Sequence, residues 1–338
     1  NLQSPSQQSS QHRSRRGLGS LVVTLLLLLA SIAVWYNRQY IADSISFWQY
    51  QPPSSVQTIT SRSAFSDEGK FLFYATQPSV DGNRTFNAKC DQKESNTAIL
   101  GCYVGNRIYI YDVTDKRLEG IKEVTAVHEM LHAAYQRLSA DDRTKVNNLV
   151  EAEYAKLKSN PAYEERMAYY ARTEPGERDN ELHSIIGTEV ATVSPELEAH
   201  YKKYLSNRSK ITGYFAAYNG VFTELSDRAK ELSTELDSLN AQIKTVTAQY
   251  NTTIKQLNSD IEAFNKRASA GDFTSQAQFN KERQALMSRS NSLATDRTAI
   301  TTLITKYDTL KDEYNDTVTQ SNDLYKSIDS SLAPAPQI

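Results

Sequence analysis

The spacing of apolar and polar residues divides the chain into three stretches. Residues 18–36 are almost wholly apolar, and no acidic or basic residue interrupts them. From Ile211 onwards, apolar residues recur at alternating spacings of four and three, which is typical of a coiled-coil helix. Between these stretches the apolar residues come in short runs. The pattern therefore predicts an apolar N-terminal helix, a mixed globular domain and a long helical region.

The apolar run at 18–36 has the length of a helix that crosses a membrane. Three arginines within residues 13–16 precede it, and Trp35 and Tyr36 stand at its far end. Because basic residues flank the cytoplasmic end of a span, we predict a cytoplasmic basic tail at 1–17, a transmembrane helix at 18–36 and an extracytoplasmic location for the rest. A cleaved signal peptide is the alternative, since small residues lie near the end of the run.

Residues 37–60 are predicted to form a juxtamembrane connector. Ile41, Ile45 and Trp48 recur at helical spacing, which predicts a short amphipathic helix on the membrane surface. The proline pair at 52–53 ends this helix, because proline lacks the backbone N–H that a helix interior needs.

The next stretch, 61–206, contains the strand predictions. The apolar run Phe71-Leu72-Phe73-Tyr74 predicts a short strand. Two β-rich runs at 97–104 and 107–111 flank Gly105-Asn106. A two-residue loop that begins with glycine predicts a β-hairpin with a type II′ turn.

Cys90 and Cys102 are the only cysteines of the chain. In an extracytoplasmic domain such a pair is predicted to form a disulfide bond, and two buried thiols are the alternative. No Cys-x-x-Cys pair is present, which disfavours a thiolate metal site.

One run in this domain points to a specific chemistry, His128-Glu129-Met130-Leu131-His132. Residues four apart share one face of a helix, so the two imidazoles can bind one metal ion, with Glu129 beside it as a general base. The flanking residues are uncharged, as a helix buried beside a metal requires. The alternative is an ordinary helix, but its buried polar groups would then be costly without partners.

This run resembles the active-site helix of zincin metallopeptidases. The resemblance implies a small zincin-like domain with Zn²⁺ held by His128 and His132 and with Glu129 as the base. The metzincin extension is missing after His132, so the resemblance is to gluzincins, in which a glutamate on a later helix is the third ligand. More loosely, the chain is similar to uncharacterised membrane-anchored proteins of bacteria.

The third ligand is sought on the predicted helix over residues 179–189. Glu181 is the first candidate, because Ser184 and Gly187 on nearby turns would let two helices approach closely. Glu189 lies two turns away, so only one of the two glutamates can reach a given metal ion. His183 is the third candidate, as a ligand or as a donor to an oxyanion.

The coiled-coil pattern extends over residues 207–330 and is interrupted by a turn at 268–272. It predicts an antiparallel helical hairpin that acts as a spacer or binds a protein partner, which includes a second copy of the chain. Pairing in separate parallel dimers is the alternative. Residues 331–338 are predicted to be a disordered tail.

Composition narrows the class of protein. A net charge of −2 gives no support to nucleic-acid binding, and the low content of Gly and Pro disfavours an all-β fold. The predicted fold class is α+β, with a zinc metallopeptidase-like domain at 61–206. The predicted function is a membrane-anchored extracytoplasmic metallopeptidase, of endopeptidase type, that cleaves peptide bonds by Glu-assisted attack of zinc-bound water. The alternative is a non-catalytic envelope scaffold or regulator that acts through its hairpin and has a structural zinc domain.

Overall fold

The computed structural model describes residues 14–90, 99–173 and 175–330. These residues form a mostly helical α+β fold with a three-stranded sheet, which confirms the predicted class. The elements in chain order are α1 (Ser14–Tyr36), α2 (Arg38–Gln49), α3 (Ser54–Arg62), α4 (Asp67–Ala75), β1 (Ser79–Asp81), α5 (Asn83–Asn87), β2 (Gly101–Val104), β3 (Arg107–Tyr111), α6 (Ile121–Gln136), α7 (Ala140–Leu157), α8 (Pro161–Thr173), α9 (Arg178–Glu189), α10 (Pro195–Tyr201), α11 (Arg208–Ala270) and α12 (Gln276–Ile328).

The chain divides into two compact units. The first comprises Asn1–Tyr218 together with Ile328–Ile338, and the second comprises Asn219–Ser327. The long helix α11 begins in the first unit, close to the predicted start of the hairpin region at residue 207.

From residue 21 to its end, helix α1 exposes its large apolar side chains, among them Leu21 at 69 % and Trp35 at 66 %. Among the described residues, no single helix combines the length and hydropathy expected of a membrane span. Leu21–Tyr36 and Arg38–Gln49 meet that criterion only as a pair, and the two segments are bent by 66°. The predicted span at 18–36 stays a prediction.

Helix α2 packs on α4 through aromatic side chains, with the ring of Phe47 lying 5.3 Å from that of Phe71. Asp43 on its inner side is buried. Ile45 and Trp48 are exposed on its outer side, Trp48 at 86 %. A helix is therefore present where the amphipathic helix was predicted, and Phe47 and Asp43 face the domain while the predicted apolar stripe is exposed.

The strand predicted at 71–74 is wrong, because these residues belong to helix α4. The side chain of Ser66 caps the helix by accepting a hydrogen bond from the N–H of Gly69. Asp67 and Glu68 follow in the first turn, where the helix dipole favours negative charge. These start signals outweigh the β propensity of a short aromatic run.

The sheet has the order β1-β3-β2. Strands β2 and β3 form the predicted hairpin, in which Val104 pairs with Arg107. Gly105 and Asn106 both have positive φ, 58° and 60°, so the turn is type I′ and the type II′ prediction is wrong. Strand β1, which was not predicted, pairs parallel with β3. The part of the first predicted strand at 97–98 lies outside the described residues.

The predicted disulfide between Cys90 and Cys102 is present. It joins the segment after α5 to strand β2. Because β2 also packs on α6, the bond fixes the chain beside the helix that carries the metal-ligand motif.

Helix α6 is the centre of the first unit and contacts α3, α4, α9, β2 and β3. It starts after Gly120, whose φ of 93° lies in the left-handed region that glycine adopts without strain. Val127, Met130 and Leu131 are fully buried. A Cβ on Gly187 of α9 would lie 2.6 Å from Cδ1 of Leu131, so this glycine permits the close helix packing predicted for it.

The second unit consists of the long segments of α11 and α12, which run antiparallel. Arg289 Nη1 lies 2.6 Å from Asp260 Oδ2, and Arg228 pairs with Glu313. Five leucines along the predicted seam are buried: Leu232, Leu239, Leu257, Leu293 and Leu324. The predicted tail at 331–338 lies outside the described residues.

Candidate metal centre

Two adjacent helices bring three metal-ligating side chains together. His128 and His132 lie one turn apart on α6, and Glu181 faces them from α9. Nε2 of His128 lies 3.8 Å from Oε2 of Glu181, and Nε2 of His132 lies 3.5 Å from Oε1. Their ligand atoms all lie within 4.8 Å of one another. Among the described residues, this is the group that can hold a metal ion.

The orientation of His132 is set by α9. Its Nδ1 lies 3.0 Å from Oδ1 of Asn180 and 3.2 Å from Oγ of Ser184. Asn180 is itself held, because its Nδ2 donates to Glu177 at 2.9 Å. The amide oxygen can only accept, so Nδ1–H donates the hydrogen bond and the lone pair of Nε2 is left for the metal.

The environment keeps His128 neutral. Burial lowers the pKa of His128 well below its ordinary value, and the neighbouring His132 and Arg166 lower it further. Its side chain is 18 % exposed, against 9 % for His132 and 5 % for Glu181. A neutral imidazole is the form that binds metal ions. His128 is therefore in its metal-binding form, and it is the most exposed of the three candidate ligands.

Glu129 lies between α6 and the sheet. Its side chain is buried, and a Cβ on Gly101 of β2 would lie only 2.8 Å from its Oε1 and 2.9 Å from its Cγ. The absence of a side chain at Gly101 therefore makes room for the carboxylate. Within the described residues β2 pairs only with β3, so no described strand pairs with its other edge.

The two alternative third ligands are engaged elsewhere. The carboxylate of Glu189 pairs with Arg166 of α8, and burial raises its pKa. Nε2 of His183 lies 2.9 Å from Nε2 of His200. Of the three candidates, the structure brings only Glu181 to the two histidines.

Sequence reasoning missed Asn180 and Tyr170. Asn180 directly precedes the candidate ligand Glu181. Its position next to a ligand is the sequence signal that could have identified it as a partner of the metal centre. Tyr170 lies on α8. Burial raises its pKa well above the ordinary value, and the negative charges of Glu181 and Glu129 raise it further. Its hydroxyl therefore stays protonated close to the metal centre.

The donor set fits a metal ion of intermediate softness. Two imidazole nitrogens and one carboxylate oxygen are typical of catalytic sites that leave a position open, and the set does not by itself select one metal. The buried carboxylate of Glu181 lies beside both imidazoles, so a divalent cation would gain one charged ligand and two histidine ligands, which coordinate a metal ion in their neutral form.

Comparison of the chain with family models, with curated proteins and with solved structures gives no match. The resemblance to zincins therefore depends on the residues of α6, and membership of that family stays a prediction.

Proposed function

We propose that the protein is a zinc-dependent peptidase of zincin type. The observation that carries the proposal is the convergence of His128, His132 and Glu181 with Glu129 in the turn between the two histidines. A glutamate on a later helix as the third ligand is what the gluzincin resemblance implied. Strand β2, which lies close to Glu129 at Gly101 and has one edge that no described strand pairs with, is the proposed place for an extended peptide.

Three ligands of this set fit a zinc ion that keeps one open position. When bound, zinc would acidify a water and polarise a carbonyl group. Glu129 is placed to accept the proton of the attacking water and to deliver it to the leaving amine. Asn180 keeps the His132 ring in its ligating orientation. The protonated hydroxyl of Tyr170 is available to donate to the carbonyl oxygen as negative charge develops there.

Attachment to a membrane through residues 18–36 is part of the proposal, with the remainder of the chain extracytoplasmic. The exposed apolar side chains of α1 and the disulfide between Cys90 and Cys102 support it. The second unit is proposed to be a coiled-coil hairpin that binds a protein partner or a second copy of the chain. Its buried leucines and cross-helix ion pairs support that assignment.

The test is metal content together with hydrolysis of a peptide library, comparing the parent with Glu129→Gln. We expect about one zinc per chain in both proteins and hydrolysis only by the parent. Glu119→Gln is the matched control, because this glutamate lies just before α6 and its side chain is 71 % exposed. Stoichiometric zinc in the parent without any chelator-sensitive cleavage would favour the alternative, a scaffold with a structural zinc domain.

The assignment of Glu181 is tested separately by Glu181→Ala. Removing the one charged ligand is expected to abolish stoichiometric zinc binding, whereas Glu196→Ala on the exposed surface of α10 is expected to leave it unchanged. Full zinc affinity in Glu181→Ala would contradict the proposed ligand set.

A further inference from the structure

Arg166 is a second charged group close to the metal centre. It lies on the side of α8 that packs on α9, where its guanidinium pairs with the buried carboxylate of Glu189. Tyr163 and Tyr170 lie about one turn before and after it on the same helix face. The guanidinium carbon lies 5.7 Å from the centre of the Tyr163 ring. The arginine is thus held in one place by an ion pair and an aromatic side chain.

Arg166 packs against the helix that carries the ligand Glu181. Glu189, which holds it, is on the same helix as the ligand Glu181. Tyr170 lies one turn beyond Arg166. The charge of Glu181 raises the pKa of Tyr170 and the charge of Arg166 lowers it. The side chains of Arg166 and of the ligand His128 both reach solvent, at 35 % and 18 % exposure. Glu189 lies eight residues after Glu181 on α9, roughly 12 Å along the helix axis, so its partner Arg166 is within reach of a short extended peptide bound at the metal centre.

The guanidinium has donors to spare. Within the described residues, its hydrogen-bond partner is Glu189, which takes only Nη1. The side chain is 35 % exposed. An arginine presents five N–H donors in a planar fork that matches a carboxylate, so the remaining nitrogens can hold a second anion.

We propose that Arg166 binds a carboxylate group of the peptide substrate while the metal centre holds the scissile bond. This inference rests on the proposed peptidase function and deepens it by naming the substrate class. The carboxylate is either the C-terminus of the peptide or an acidic side chain close to the cleaved bond. The first source makes the protein act at chain ends, and the second keeps it an endopeptidase.

The test uses three hydroxamate probes and the zinc-loaded full chain. Each probe is a succinyl hydroxamate, whose metal-binding group anchors it at the zinc, linked to a dipeptide. The first carries Phe-Ala with a free C-terminus, the second carries Phe-Ala amide, and the third carries Phe-Glu amide. Dissociation constants are measured by calorimetry, so the readout does not depend on turnover.

For the parent we expect the Phe-Ala amide probe, which has no carboxylate in its dipeptide, to bind about 10- to 100-fold more weakly than at least one of the other two probes. A hydrogen bond between charged groups contributes affinity on this scale. The tighter of those two probes identifies the source of the carboxylate. In Arg166→Gln the tighter binding of the carboxylate probes is expected to disappear, while the Phe-Ala amide probe keeps its affinity. Arg172→Gln, which removes an exposed arginine of the same helix, is the matched control and is expected to keep the advantage.

Arg166→Gln leaves Glu189 buried without its cation, so the double variant Arg166→Gln/Glu189→Gln is made in parallel to preserve folding. Equal affinity of all three probes for the parent, or an advantage that survives in both Arg166 variants, overturns the carboxylate proposal and leaves the metal centre intact. If no hydroxamate probe binds the zinc-loaded parent, the metal centre is not accessible to a substrate, and both proposals are overturned.

Discussion

Asn180 and His132 are joined across two helices by a 3.0 Å contact between Oδ1 of the amide and Nδ1 of the imidazole. Asn180 is the residue before Glu181, so one short segment of α9 supplies both a candidate ligand and the group that orients another ligand. A small shift of α9 against α6 would therefore change two of the three metal contacts together.

Asn180→Ala is expected to lower zinc affinity by roughly 10- to 100-fold, because partners that orient a histidine ligand contribute on that scale. Asn180→Asp keeps the acceptor oxygen and is expected to bind zinc close to the parent level. Competition with a fluorescent chelator measures both. Parent-like affinity of the alanine variant would show that Ser184 alone orients the ring.

Gly101→Ala is expected to reduce peptide hydrolysis by roughly 100-fold while zinc content stays unchanged, because a misplaced general base costs on that scale. The added Cβ would lie 2.8 Å from Oε1 of Glu129 and 2.6 Å from Cγ2 of Thr125, so the carboxylate has to move. Gly82→Ala is the control, since a Cβ there meets nothing within 4 Å. Unchanged kcat in Gly101→Ala would argue against Glu129 as the base.

Asp43→Asn is expected to destabilise the first unit by roughly 3–5 kcal/mol, because it leaves a buried arginine without its counter-ion. Asp43 accepts two hydrogen bonds from Arg137, of 2.6 and 2.7 Å, and their side chains are 7 % and 12 % exposed. Lys145→Gln breaks a solvent-exposed pair and is expected to change stability by less than about 1 kcal/mol. Urea unfolding followed by the near-ultraviolet circular dichroism of the tyrosines compares the two variants, and similar small changes would contradict the prediction.

His200 makes stability depend on pH. Burial, with Lys203 adding to it, lowers its pKa from 6.5 to about 4. The unfolded chain then binds a proton that the folded protein does not, so this contribution to stability is complete above pH 6.5 and is lost as the pH falls towards 4. The free energy of unfolding lost in this way reaches roughly 2 kcal/mol by pH 5.

The measurement is urea unfolding of chelator-treated protein at pH 7 and pH 5. The parent is expected to lose roughly 2 kcal/mol more over this range than His200→Gln does. An equal loss in both proteins would mean that other groups, such as the adjacent His183, carry the acid sensitivity.

The hairpin and the ligand helix were predictable because each depends on local chemistry. Gly105-Asn106 specifies a two-residue loop, although only the backbone shows that both residues have positive φ. The four-residue spacing of His128 and His132 needs only a helix to bring them together. Helix α4 was not predicted, because four consecutive apolar residues show no helical periodicity and so favour a strand. The helix is specified instead by the N-cap residue Ser66, five residues before the apolar run.

The third ligand was only partly predictable. The sequence placed Glu181, His183 and Glu189 on one helix, and helical geometry alone could not say which would face α6. The packing of Gly187 against Leu131 sets the position of α9, and the ion pair with Arg166 takes Glu189 away. Both depend on contacts between residues far apart in sequence. Asn180 and Tyr170 became functional candidates for the same reason.

The ion pair between Asp43 and Arg137 also fixes a distance. Asp43 lies on the helix that follows α1 directly, and Arg137 is the residue after the ligand helix α6. If residues 18–36 are embedded in a bilayer as proposed, the metal centre is held at a set height above the lipid headgroups. Such an enzyme would select peptide bonds by how far they stand from the membrane as well as by their sequence.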